Sequence, residues 1–439
     1  MPAAAPPGLT GRARRATFLR AQTGPGEPMP AQPKSGPDGP LPLSGIRILD
    51  VASFIAAPVA ATVLGDYGAD VIKVEPPGEG DPNRMISTIS AGYPKSPINY
   101  PWHLDSRGKR SLAIDLKNER ARAAFDKVIA GADVLITNYP PPVRGRLKLR
   151  YDDVARVNGR LIYASFTGYG EAGPDADQLG FDVNAYFARS GITDGARYDG
   201  AVPGVSMPAQ GDRAAGVALA AGIMIALWNR ERTGVGTKVS SSLLANGIWA
   251  NANAVQAAMV GAGLPKRPPP DRPRSALTNV YRTRDGRWLQ ITVVREERDW
   301  PPFCRLIGRP ELTSDPRFAE TPTRRANGGA LAEIVSAIVA TRDFADWRAG
   351  LKAQGIPFAE ISRAEDLAND EQVAAAGVLV PTANPEMPRT VAVPFALDGV
   401  ALPPATAGPA LGAHSEEVLR EAGVSADDIA ALKASGAVG

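Results

Sequence analysis

Cysteine and histidine are scarce in this chain. A single cysteine, Cys304, excludes an internal disulfide framework, and His103 and His414 stand too far apart to form a recognisable zinc or diiron set. The site is therefore expected to be metal-free and the compartment to be the reducing cytoplasm. Long apolar runs are missing too. Val217–Trp228 falls short of the ~20 residues that cross a bilayer, so no transmembrane segment is expected. Charge of one sign is also lacking: a formal net charge of +3 over 439 residues argues against nucleic acid as a partner. No G-x-S-x-G element occurs, and with only two histidines to serve as base, serine-hydrolase chemistry has little support.

What is present is an ordinary globular composition, 44% hydrophobic and 22% charged, long enough for two domains. Residues 1–42 are rich in proline and have no apolar periodicity, which reads as a disordered extension. From Gly45 onward, short β-branched runs alternate with helical stretches: strands at 46–51, 70–75, 111–116, 133–137 and 160–166, with helices from Pro58 and over 119–131. That alternation predicts an α/β fold, a Rossmann-like large domain with a mainly parallel sheet. Two long helices are expected at 212–232 and 238–262, the first stopped by glycine in "RTGVG". The large domain would run over 43–262. A proline-rich linker follows at 263–274, then a smaller α+β domain at 275–365 opening on a hairpin around Asp285-Gly286. Residues 366–439 would return and close on the large domain with two short helices.

Four stretches invite chemistry. "GYGEAG" (168–173) matches G-x-G-x-x-G after a strand, but Pro174 follows where a dinucleotide-binding helix must begin, so a glycine-rich turn beside a ligand is preferred. The cations of "SRGKRSLAIDLK" (106–117) and of "VRGRLKLR" (143–150) read either as a solvated edge or as phosphate contacts. Asp212, in "MPAQGDRAAG", reads as the N-cap of the helix downstream or as a nucleophile among small residues that admit a bulky substrate. Spacing does not separate these two.

Taken together, "LSGIRILDVASFIAAPVAATVLGDYGADVIKVEPPGEGDPNR" (43–84), "GKRSLAIDLKNERARAAF" (108–125), "ADVLITNY" (132–139), "NGRLIYASFTGYGEAGP" (158–174), "AQGDRAAGVALAAGIMIALWNRERTGVGTKVSSSL" (209–243) and "LGAHSEEVL" (411–419) resemble the class III coenzyme A transferases, the family that includes formyl-CoA transferase, carnitine CoA-transferase and α-methylacyl-CoA racemase. The resemblance implies an intertwined homodimer and transfer of CoA from an acyl-CoA to an organic carboxylate, with acyl-CoA as substrate and no permanently bound cofactor. It places Asp212 at the nucleophile, which passes through an acyl-aspartyl anhydride and an aspartyl-CoA thioester. The positions matching the family's CoA contacts are Ile55, Ala56, Ile114, Asp115, Leu116, Lys117, Asn138, Tyr139, Pro140 and Arg146, with Lys117 and Arg146 as phosphate partners.

Two departures count against formyl or oxalyl transfer. Ile55 stands where formyl-CoA transferase has glutamine, and Pro76 where it has arginine. The alternative within the fold, an acyl-CoA racemase or isomerase, needs a second acid–base group, a histidine preceding an aspartate. Here Phe181 stands in its place, which leaves Asp182 a structural reading. The segment "FDVNAYFARSG" is similar to the branch that moves CoA among substituted acrylates and 2-hydroxy acids.

Overall fold

The computed structural model describes residues 39–439. Nearly all of the 1–42 extension lies outside them.

Six runs form one sheet: Arg47–Asp50 (β1), Asp70–Glu75 (β2), Arg110–Ala113 (β3), Val134–Thr137 (β4), Ile162–Thr167 (β5) and Lys238–Ser242 (β6). Their order is β3-β2-β1-β4-β5-β6 and every pair is parallel. Because side chains alternate along a strand, neighbours such as Ile48 and Leu49 feed opposite faces, and a parallel sheet must bury both. One face, with Ile48, Ile136 and Ile162, packs on helix Ala56–Asp66 (α1) and on the long helix Gln210–Thr233. The other, with Leu49, Leu135 and Tyr163, packs on helix Glu119–Ala130 and on the C-terminal helices Ser415–Glu421 and Ala426–Ala434.

The reading of 238–262 as one helix needs correction: the span is a strand followed by two helices, Leu243–Ala250 and Ala252–Met259, parted at Asn251. "KVSSS" is β6, paired along β5 from Tyr163↔Lys238 to Thr167↔Ser242. Serine hydroxyls compete for backbone hydrogen bonds in a helix interior, whereas an edge strand tolerates them. Ser242 then caps the helix Leu243–Ala250, its hydroxyl oxygen accepting from the Ala245 N–H at 3.1 Å.

The long helix ends at Gly234, φ +76°, the glycine stop read from the sequence. By length and composition it could cross a membrane. In this fold Ala215, Leu219, Ile223 and Leu227 are buried in the core against the sheet and α1. The crossing with α1 is close: a Cβ on Gly216 would lie 2.6 Å from the Ala56 carbonyl oxygen, so any larger residue would push the two helices apart.

A third core gathers residues of 276–356 around the antiparallel strands Thr278–Arg282 (β7), Trp288–Thr292 (β8) and Phe358–Glu360 (β9). Gly286, φ +80°, turns the β7–β8 hairpin as its Asp-Gly pair predicts. Two helices with a short break between them, Gly328–Val339 and Phe344–Gln354, belong to the same domain. The break places the Asp343 carboxylate on Arg284 at 2.7 Å, tying the helix pair to the hairpin.

Candidate functional site

In an open parallel sheet, ligands bind beyond the carboxyl ends of the strands where the strand order reverses. Here that point lies between β1 and β4. The two loops leaving it are clipped together: the Asn138 side chain accepts from the Ser53 N–H at 2.8 Å and donates to the Ser53 carbonyl at 2.7 Å. Tyr139 follows, its hydroxyl hydrogen-bonded to the Ser53 side chain and its pKa raised by burial.

Beneath the β1 loop is a buried charge cluster. Lys73, in the middle of β2, reaches Asp81 at 2.5 Å and Asp50 at 3.5 Å and donates to the Ala52 carbonyl. Lys109 binds Asp50 at 2.9 Å and the Pro58 carbonyl. Despite complete burial, these cations hold the Asp50 carboxyl below its usual range. Asp81 in turn accepts from the N–H of Phe54, held at φ +64°. Positive φ is costly for an aromatic residue and persists only where surrounding contacts enforce it. The loop bearing Ile55 and Ala56 is thus set from below by charges.

Asp212 is not the cap of its helix. The helix begins at Gln210, and the N-cap position belongs to Ala209, φ +70°, which offers no side-chain acceptor. The orphan N–H groups are met from outside: Asp182, 2% exposed, accepts from the Gly211 N–H at 3.1 Å. Asp182 opens a wide-turned helical segment, Asp182–Ala188, whose Tyr186 ring lies so near Gly211 that a Cβ there would sit 2.6 Å from it. With capping done by Asp182, Asp212 is left half-buried in the first turn, its carboxylate without a hydrogen bond or ion pair among the described residues. Burial, then the Asp182 charge, push its pKa up to about 8, with Asp105 adding to the rise and Arg213 opposing it. Arg213 itself closes on the buried Asp105 at 3.1 Å.

Asp212 opens into a cleft of about 80 Å³ that also holds Ile55, Ala56 and Asn138 from the sequence-based set. Ile114, Asp115, Leu116 and Lys117 lie past the end of β3, away from this cleft; Ile114 is buried and Lys117 exposed. Pro140 precedes, and Arg146 ends, the short helix Pro141–Arg146, and Arg146 is exposed. Phe54, Phe166, Thr167, Gly168, Gly180, Phe181 and Leu243 complete the cleft; of these only Gly168, in the glycine-rich turn, was read from sequence as lying beside a ligand. No spacing marks them together, because they come from five separate loops and elements.

The cations of 106–117 divide sharply. Arg107 pairs with Asp66, Lys109 with Asp50, and Arg110 with Asp70, Glu417 and Glu421. The phosphate reading is corrected for these three: their acids lie far off in sequence and meet them only in the fold. Arg144 is likewise closed on Glu171 at 2.8 Å. Lys117 and Arg146 have no ion-pair partner among the described residues. His103 and His414 accept from the Gly408 and Ser111 N–H groups, as structural residues do.

Comparison with known proteins agrees with this geometry. The model of CoA-transferase family III matches residues 43–415. The chain is similar to (R)-2-hydroxy-4-methylpentanoate CoA-transferase of Clostridioides difficile, 31% identical over 90% of this chain and 98% of that protein. It is also similar to cinnamoyl-CoA:phenyllactate CoA-transferase of Clostridium sporogenes, 32% identical over 89% and 95%. The crystal structure of a CAIB/BAIF family protein from Brucella suis superposes with a TM-score of 0.77 at 28% identity, covering 87% of this chain and 99% of that one. A Rossmann-ordered sheet, an uncapped aspartate at its switch point and a family match over most of the chain converge: this protein is an enzyme of CoA-transferase family III.

Proposed function

We propose that the enzyme moves coenzyme A from an acyl-CoA thioester to an organic carboxylate, with Asp212 as the nucleophile. The observation that carries this reading is the half-buried Asp212 carboxylate, unpaired and open to the cleft at the switch point. A carboxylate deprived of water and of partners is a stronger nucleophile than a solvated one.

The exchange balances without ATP, redox or a net proton. An Asp212 oxygen attacks the donor carbonyl carbon, the C–S bond breaks, and CoA leaves as thiolate from a mixed anhydride. The thiolate attacks the Asp212 carbonyl of that anhydride, expelling the donor acid as carboxylate and leaving an aspartyl-CoA thioester. The acceptor carboxylate attacks this thioester and releases thiolate, which attacks the acceptor carbonyl, frees Asp212 and yields the new acyl-CoA. The start of the long helix favours the anionic forms of Asp212. Lys117 and Arg146, exposed and unpaired, would meet the CoA phosphates, with Ile55, Ala56, Ile114–Leu116 and Asn138–Pro140 along its path. Racemisation finds no second proton carrier, since Phe181 stands where one is needed. The exposed Ile225, Trp228, Trp249, Met259 and Val260 on neighbouring helices support a homodimer, which sedimentation of the purified chain reads directly. Abundant acyl-CoA and one buried thiol suit the cytoplasm.

Incubation with an acyl-CoA, quenching with hydroxylamine and peptide mass spectrometry will place a hydroxamate on Asp212. An active enzyme with Asp212 unmodified overturns the nucleophile. The pH dependence gives a separate check. Asp212 must be ionised to attack, so kcat/KM falls as pH drops below about 8. Asp182→Asn keeps an acceptor for Gly211 but removes the neighbouring negative charge, so the acid limb moves to lower pH, by up to ~1 unit. A limb that stays in place would show that Asp182 does not bear on Asp212.

A further inference from the structure

Resting on the transfer reading above, we infer that the acyl groups this enzyme carries are uncharged and apolar beyond the reacting carboxyl: monocarboxylic acids with an alkyl or aryl body, to the exclusion of dicarboxylates. Two independent features of the cleft lead there.

The first is its apolar wall. Phe54 and Phe181 meet edge to face at 5.7 Å, and both line the cleft with Phe166 and Leu243. Phe181 is 51% exposed, an unusual state for a phenylalanine and one that an apolar acyl body would relieve. Phe54 does not swing away freely, since its backbone is fixed at positive φ by Asp81.

The second is the charge around it. Among the described residues, no lysine or arginine lines the cleft. The cations nearest in sequence to its walls are neutralised inside the fold: Arg213 on Asp105, and Arg144 and Lys238 both on Glu171, which follows Gly168 in the β5 loop. Asp182 and Asp105 both act electrostatically on Asp212, with Arg213 opposing them. A second carboxylate on the substrate would therefore enter a field with more acids than cations, its one nearby cation, Arg213, already paired with Asp105, and lose its water. The donor's phosphates escape this field because Lys117 and Arg146 lie outside the cleft.

Identity exchange tests this without knowledge of the physiological pair. Hexanoyl-CoA is mixed with isotopically labelled hexanoate, 3-phenylpropanoyl-CoA with labelled 3-phenylpropanoate, and the mono-CoA thioester of adipate with labelled adipate; label entering the thioester is followed by mass spectrometry. Hexanoate matches adipate in length, so only the distal charge differs. Exchange of either monoacid should exceed that of adipate by roughly 10–100-fold in kcat/KM. Phe181→Arg supplies the missing cation and should narrow or reverse the ratio. Comparable exchange of adipate by the unaltered enzyme overturns the substrate class while leaving transfer intact. No exchange with any acid, together with no hydroxamate at Asp212, overturns the transfer reading and this inference with it.

Discussion

Asp212→Ala will leave the fold intact and reduce CoA transfer by about 10⁴-fold or more, because no other group in the cleft can form the anhydride. The Asp212 side chain makes no hydrogen bond or ion pair with the described residues, and Asp182, not Asp212, caps the helix, so truncation breaks no side-chain contact of that kind. Stability should instead rise. In the native state the carboxyl is raised to about 8 by burial and then by Asp182, whereas the unfolded chain ionises near 4. Between those values the native state holds a proton that the unfolded state releases, so native stability falls as pH rises and levels off only above about 8. Below about pH 4 both states are protonated and the penalty vanishes. The variant lacks this penalty, so its stability gain over the parent should be negligible near pH 4 and grow toward pH 8, by roughly 1–2 kcal/mol in a partly solvated site. Circular dichroism melts across that range, alongside a transfer assay, read both effects. A variant that transfers CoA at the parent rate, or that unfolds, contradicts this account.

Lys73→Met should be among the most destabilising single changes in the chain. Lys73 is fully buried between Asp50 and Asp81, themselves inaccessible. Removing one partner from a buried charge cluster leaves the others uncompensated, at a cost of about 3–5 kcal/mol. In a chain of this size that is a Tm loss of roughly 3–6 °C. The pH dependence identifies the cause. In the parent the Asp50 carboxyl is held below its ordinary range, so its contribution is present at neutral pH and lost as pH falls through the native value. Without Lys73 the aspartates can relieve their charge by protonation, so the deficit should be smaller at pH 5 than at pH 8. A shift under 2 °C at both pH values would show that the cluster contributes little.

Much of the architecture is legible along the chain, for a local reason. Strands such as "DVIKVE" and "DVLIT" announce themselves by β-branched composition between helical stretches, and that alternation implies a parallel sheet. The edge strand β6 escaped this reading because "KVSSS" has little apolar signal and gains its identity only from pairing with β5. Lys73 was not singled out from sequence, although it stands between apolar residues in "DVIKVE" and a charge buried there demands partners; Asp50 and Asp81 are those partners, but nothing local names them.

The candidate site divides the same way. Asp212, with its run of small residues, and the family pattern around it can be read in the sequence, as can the impossibility of an internal disulfide with a single cysteine. Whether Asp212 caps a helix or stands free was decided by Asp182, thirty positions upstream, and by an N-cap that falls on Ala209. Which basic residues remain available to a ligand was decided the same way, since Arg107, Lys109, Arg110 and Arg144 find their acids only through folding. Periodicity and propensity act over a turn or a strand and are written locally in the chain. Burial, electrostatic pairing and the assembly of a cleft from separate loops are sums over groups distant in sequence, and only the tertiary structure performs those sums.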